Sequence, residues 1–232
     1  MARLTRDGEF DLDQTANATY FGLRWAIVIV AVTLPLLLWW GGYLVDTHLQ
    51  DSISAYYRTP MRNWFVGCLF GVAACLCVYK GLSDRESLML NVAALLAVGV
   101  AVNPLDWKPA WLPDGLTPHG ICAVLFFVMI ALACWLCQDD SLKLGLVPPD
   151  RVARYRAKYT ITGVALVALP VVAAFLNIGV FSRRPGSSIF WLEAVAVWVF
   201  SFYWYTKTGE LKKAIERRTM RRTQLRASGQ SA

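Results

Sequence analysis

The sequence predicts an all-α polytopic transmembrane bundle of six helices with both termini cytoplasmic, and three observations predict it. The 232 residues are 56% hydrophobic and 17% charged with positive mean hydropathy, a composition wrong for a water-soluble globule. Apolar runs recur at about the 20 residues that a hydrocarbon core of about 30 Å demands of a helix. Lys and Arg gather in alternate connections, as they do where short cytoplasmic loops hold the positive excess. The net charge of +7 therefore reads as membrane topology, and no nucleic acid is needed to explain it.

The first helix is expected at about 23–44. Asp7, Glu9, Asp11 and Asp13 precede its apolar run, which is long enough to span, so the segment does not read as a cleaved secretory signal. Pro35 lies inside this helix and Pro170 inside the fifth. Each removes a backbone donor and crowds the preceding turn, which predicts kinks that either shape packing or border a cavity.

The next stretch, DSISAYYRTPMRN over 51–63, sets two serines, two tyrosines, two arginines and an aspartate between two apolar runs. It is expected to form one wall of any working site. Helix two, at 63–79, carries Gly67, Gly71 and Ala74 four or three residues apart, and helix three, at 85–103, carries Ala93, Ala97 and Ala101. Small residues on one face let backbones approach closely where lipid supplies no hydrophobic drive. The preferred reading is contact between helices two and three, with dimerisation as the alternative. Lys80, Asp84, Arg85 and Glu86 make the tight connection between these helices and are expected to pair with one another. Asn91 and Asn103 are expected to hydrogen-bond between helices.

Helices four, five and six are expected at 119–137, 159–181 and 189–205. Eight basic residues follow between Lys207 and Arg226, against Glu210 and Glu216. This stretch is expected to stay helical near the membrane and to meet anionic headgroups at about 1 kcal/mol per cation. The chain thus divides into a six-helix domain, 1–206, and a basic cytoplasmic tail, 207–232.

Placing the N-terminus inside puts 18 of the 23 Lys and Arg on the cytoplasmic side. Arg58, Arg62, Lys108, Arg183 and Arg184 are left outside. Aromatic rings prefer headgroup level. Trp39, Trp40, Tyr43, Trp64, Trp107, Trp111 and Trp191 fall at the outer level, and Trp25, Tyr79, Trp135, Tyr159, Trp204 and Tyr205 at the inner one. All six cysteines lie within apolar runs as small core filler, and cysteines two apart on a helix cannot converge on one metal.

Both histidines, His48 and His119, fall on the outer side with Ser52, Ser54, Tyr56, Tyr57, Asp106 and Glu193. Glu193 lies about one turn, roughly 6 Å, inside helix six. An ionisable group there is either a partnered functional residue, with Arg62, Arg183 or Arg184 as counter-charge, or an interfacial carboxylate reaching water. His48, His119 and Asp106 supply imidazole and carboxylate ligands of the kind zinc uses, although no short histidine spacing unites them. Ser52 and Ser54 read as nucleophiles with His119 as base, or as turn and cap residues, since no strand-turn-helix elbow surrounds them. Arg62, Glu193, Tyr57 and Arg58 are the expected headgroup contacts.

The run SISAYYRTPMRNWFVG, the Tyr79-Lys80-Gly81 turn, the Asn91-bearing helix and Asn103-Pro104 resemble a family of uncharacterised bacterial six-helix membrane proteins over residues 52–104. The remainder agrees with that family in helix number and in His119 opening the fourth helix. The resemblance implies a multi-pass protein of the plasma (bacterial inner) membrane and no particular activity. More distantly, a serine at the start of helix two, an aspartate after helix three and a later histidine are similar to the superfamily of alkaline ceramidases and adiponectin-receptor-like proteins, seven-helix zinc-dependent amide hydrolases that act on lipids. That resemblance implies catalytic or zinc-associated roles for Ser54, Asp106 and His119. The chain departs from it in having six helices, two histidines and no histidine pair in its last helix, so a complete zinc triad is not implied.

The function expected is an outward-facing polar pocket for a lipid or amphiphile headgroup, with metal-assisted lipid hydrolysis as a possible activity. An assembly or scaffold subunit, as a homodimer or with a membrane-protein partner, is the alternative. A small transporter or channel is the third reading, disfavoured by the apolar middle of the spans.

Overall fold

The computed structural model describes residues 12–113, 115–143, 150, 152–178 and 187–227, and among them the regular structure is entirely helical. The helices are α1 (Leu12–Leu44), α2 (Arg62–Val78), α3 (Asp84–Val102), α4 (Pro118–Leu136), the short α5 (Gln138–Lys143), α6 (Val152–Ile178) and α7 (Ser188–Ala227), with a 3-10 helix at Ser54–Arg58. Five of them, α1, α3, α4, α6 and α7, are long and apolar enough to cross a membrane, and α2 is apolar but shorter at 17 residues.

The six long helices close into a ring in chain order. α1 packs on α2, α2 on α3, α3 on α4, α4 on α6, α6 on α7 and α7 back on α1. Large apolar side chains such as Ile29, Leu95, Ile161 and Phe175 point out of the ring, while Ala31, Ala93, Ala97, Ala101, Ala131 and Ala194 are buried within it. That distribution suits a helix bundle in lipid, where close backbone approach replaces the hydrophobic drive. Two approaches depend on glycine. A Cβ on Gly99 of α3 would meet Cys122 Sγ of α4, and one on Gly163 of α6 would run into the Trp135 indole of α4.

One apolar cluster, around Leu76, Leu90, Ile130, Leu166 and Trp204, draws side chains from all six long helices. A second, around Leu38, Tyr56, Phe65 and Phe190, joins α1, α2 and α7 to the 3-10 turn. Side-chain caps fix two helix starts. Ser83 Oγ accepts the Glu86 N–H at 3.3 Å, and Thr117 Oγ1 accepts the Gly120 N–H at 3.1 Å with Pro118 in the first turn. The second cap sets His119 in the first turn of α4.

Two helices begin earlier than expected, α1 at Leu12 and α6 at Val152, and α7 continues past Lys207 to Ala227, in agreement with the helical reading of the basic stretch. Hydropathy marks where an apolar run begins and ends, whereas helical hydrogen bonding stops only at a breaker, and residues 207–226 hold no proline and the single glycine Gly209. The chain from 207 to 227 is thus an extension of the last helix. Pro35 and Pro170 lie within continuous α1 and α6.

The α2–α3 contact is present, but the glycine stripe does not make it. α2 turns Val72, Ala73 and Leu76 inward, Gly67 and Ala74 are exposed, and a Cβ on Gly67 or Gly71 would touch nothing. Small-residue spacing identifies a face without saying which way the ring rotates it. The alanines of α3 are buried as expected.

Candidate functional site

The 51–63 segment folds back over one end of the ring because its backbone finds partners on α7. Glu193 Oε2 accepts the Ile53 N–H at 2.7 Å and the Ser54 N–H at 3.4 Å, and the Phe190 N–H donates to the Asp51 carbonyl at 2.7 Å. A carboxylate at the start of the 3-10 turn satisfies donors the turn itself leaves open. Ser52 Oγ accepts the Ala55 N–H at 3.0 Å, which makes Ser52 the turn residue that the sequence suggests. Tyr56 is buried beneath this turn, and desolvation raises the pKa of its hydroxyl above the ordinary 10.0.

Ser54 behaves differently. Its Oγ lies 3.1 Å from His119 Nε2, and His119 Nδ1 lies 3.1 Å from the Asn103 carbonyl oxygen. A carbonyl only accepts, so Nδ1 carries the ring proton, and Nε2 presents its lone pair to the Ser54 hydroxyl. His119 is 1% exposed; its imidazole meets Tyr57 edge-on, with ring centroids 6.1 Å apart, and Phe65 at a 30° tilt, with centroids 6.3 Å apart. Arg62 Nη2 donates to Tyr57 Oη at 2.9 Å, and the guanidinium lies 4.4 Å from the Tyr57 ring centroid.

Of the residues singled out in the sequence, the fold gathers Ser54, Tyr57, Arg62 and His119 with Glu193 beside them. Arg58 instead pairs with Asp106 across the exposed rim, an ion pair of the kind worth little in water. His48 is exposed, and its carbonyl accepts from Gln50 Nε2 at 2.8 Å. The zinc set His48, Asp106 and His119 does not assemble, since among the described residues no three His, Cys, Asp or Glu side chains converge as metal ligands. Glu193 takes backbone amides rather than Arg62 as its partners, and Arg62 donates to Tyr57 instead. Arg183 and Arg184 lie outside the described residues. Asn103 does contribute to an interhelical link, through its carbonyl and His119, while its side-chain amide donates to Gly99 within its own helix at 2.7 Å.

The opposite end of the ring holds a buried polar cluster that the sequence reading missed. Arg24 of α1 is 0% exposed, and its Nη1 donates to the Lys207 carbonyl at 3.0 Å. Its Nη2 donates to Tyr20 Oη at 3.0 Å and to Tyr79 Oη. The guanidinium also lies over the Tyr20, Tyr79 and Trp204 rings. Glu86 turns inward from the α2–α3 connection, where it was expected to pair with Lys80 or Arg85, and forms a buried ion pair with Lys207 while accepting the Leu82 N–H at 2.9 Å. Lys207 also meets Tyr203 Oη at 3.2 Å, and Tyr159 Oη donates to Glu210 at 3.1 Å. The signal was available. Arg24 stands within an apolar run, where a charge needs a partner.

No family model matches the chain, and neither a curated protein nor a solved structure matches it.

Proposed function

We propose that this chain is a six-span plasma-membrane protein with both termini cytoplasmic, and that its non-cytoplasmic end binds the anionic head of a lipid or related amphiphile. The observation that carries the reading is the exposed Arg62 guanidinium held over Tyr57 beside the Ser54–His119 pair. Arg62 is pre-oriented, so binding an anion costs less side-chain entropy than a free arginine would. Phosphate and carboxylate heads match its planar donors. Glu193 serves this site indirectly, by pinning the turn that carries Ser54 and Tyr57.

The test is thermal unfolding of the detergent-solubilised protein with added phosphatidylglycerol or phosphatidylcholine. Phosphatidylglycerol is expected to stabilise the parent chain more than phosphatidylcholine does. Arg62→Ala should lose most of that difference, whereas Arg226→Ala, which removes the same charge from the basic extension, should keep it. Equal losses in the two variants would assign the effect to general charge and overturn the reading. A second reading, an assembly subunit or homodimer, is favoured by one observation, the exposed face of Gly67 and Ala74 on α2. The basic residues beyond Lys207 would then meet anionic headgroups or a membrane-protein partner.

A further inference from the structure

Resting on that headgroup-binding reading, we propose that Ser54 and His119 form a nucleophile–base pair that cleaves carboxylic esters of the amphiphile held by Arg62. Three geometric requirements for an activated serine are met on named atoms. The hydroxyl lies within hydrogen-bond reach of an imidazole nitrogen, 3.1 Å from His119 Nε2. The base is oriented by a third group, the Asn103 carbonyl on Nδ1, which fixes the tautomer whose Nε2 accepts a proton. The ring is clamped by Tyr57 and Phe65, so its orientation is set before substrate arrives. Ser54 and Tyr57 are also three apart in a 3-10 helix, where such side chains share a face. Arg62 donates into the Tyr57 oxygen, which leaves the phenol proton free to donate onward. The serine itself is only half-buried, unlike the histidine behind it.

In the reaction, Ser54 Oγ bonds to the ester carbonyl carbon as its proton passes to His119 Nε2. The tetrahedral oxyanion collapses, the ester C–O bond breaks, and the departing alcohol takes the proton from Nε2. Water, deprotonated by the same nitrogen, then attacks the acyl-serine, releasing a carboxylic acid and restoring Ser54.

The probe is a long-chain alkyl fluorophosphonate, which phosphonylates an activated serine and releases fluoride. Added to the full chain in detergent, it is expected to modify Ser54 by peptide mass mapping and to leave Ser52 unmodified. Ser54→Ala should abolish the adduct, and His119→Ala should slow it by about 100-fold or more, the range that general-base catalysis supplies. Ser54→Cys retains His119 and its packing and gives an independent readout. Iodoacetamide should alkylate Cys at 54 faster than the native Cys68 and Cys122, and this advantage should disappear in combination with His119→Ala. An unmodified Ser54 in a monodisperse parent chain, or a Ser54→Cys thiol no faster than Cys68, overturns the proposal. If the Arg62-dependent stabilisation by phosphatidylglycerol survives that result, headgroup binding stands and hydrolysis falls; loss of both removes both.

Discussion

Lys207 and Glu86 are 121 residues apart in the chain and form a fully buried ion pair, with Arg24 bonded to the carbonyl of the same lysine. Removing one member of such a pair leaves an uncompensated charge and costs about 3–5 kcal/mol, whereas replacing both by apolar groups of similar volume is often near neutral. Lys207→Met and Glu86→Leu are each expected to destabilise the protein by that amount, and the double variant to recover most of it. Thermal or denaturant unfolding of all four species measures the coupling, and additive losses would sink the account. The sequence made these residues visible and mis-sorted them. Arg24 stands within an apolar run and Lys207 at the end of one, and both enter the positive-inside count, but a charge count says nothing about whether the head reaches water or turns into the bundle. Glu193 and His119 were legible for the same reason, as ionisable groups at the start of apolar helices. Their partners were not, because two are backbone groups, Ile53 N–H and Asn103 C=O, that carry no side-chain signature.

Among the helices, what was legible was apolar length, and what was hidden was rotation about each axis. α3 buries its alanine stripe, while α2 leaves the comparable stripe outside, so one pattern has two outcomes. One glycine that the ring does need is Gly163, whose Cα side abuts the Trp135 indole while Trp135 Nε1 donates to the Thr160 carbonyl at 3.3 Å. Gly163→Ala is expected to overpack the α4–α6 seam and destabilise by about 1–3 kcal/mol. Gly67→Ala meets no atom and gains helix propensity, so it should be neutral or stabilising by up to about 1 kcal/mol. The pair of melting temperatures, moving in opposite directions, checks the ring's rotation. A loss at Gly67 comparable to that at Gly163 would mean that the α2 face is covered by another chain or that the rotation is wrong. The last helix behaves as expected beyond its span. Its apolar pattern ends near Tyr205, and the helix continues to Ala227, as the reading of the basic stretch as helical expects.

At the scale of the molecule, the contacts sort into two ends. His119, Asn103, Glu193, Phe190 and the 51–63 segment meet at one, and Tyr20, Arg24, Tyr79, Glu86 and Lys207 at the other. α2 starts at Arg62 beside Tyr57 and ends at Val78, next to Tyr79 on Arg24, so it runs from the first cluster to the second. Seventeen residues rise about 25 Å at 1.5 Å per residue, a little short of a hydrocarbon core of about 30 Å. Local thinning of the bilayer accommodates a shortfall of that size at a modest cost, so α2 is expected to be a sixth crossing. The loops test this directly. If α2 and α3 both cross, His48 in the 45–61 connection and Trp111 in the 103–117 connection lie on one side; if α2 does not cross, they lie on opposite sides whichever way the chain enters. His48→Cys and Trp111→Cys, both at exposed positions, should therefore react alike with a membrane-impermeant maleimide in intact cells. Met220→Cys on the α7 extension, 59% exposed, should react only after permeabilisation, because the proposed topology puts 18 of the 23 basic residues on its side. Labelling of His48→Cys and Trp111→Cys from opposite sides would reduce the crossings to five. It would also put the Ser54–His119 contact at odds with the membrane, since one side chain would then have to reach the other across it.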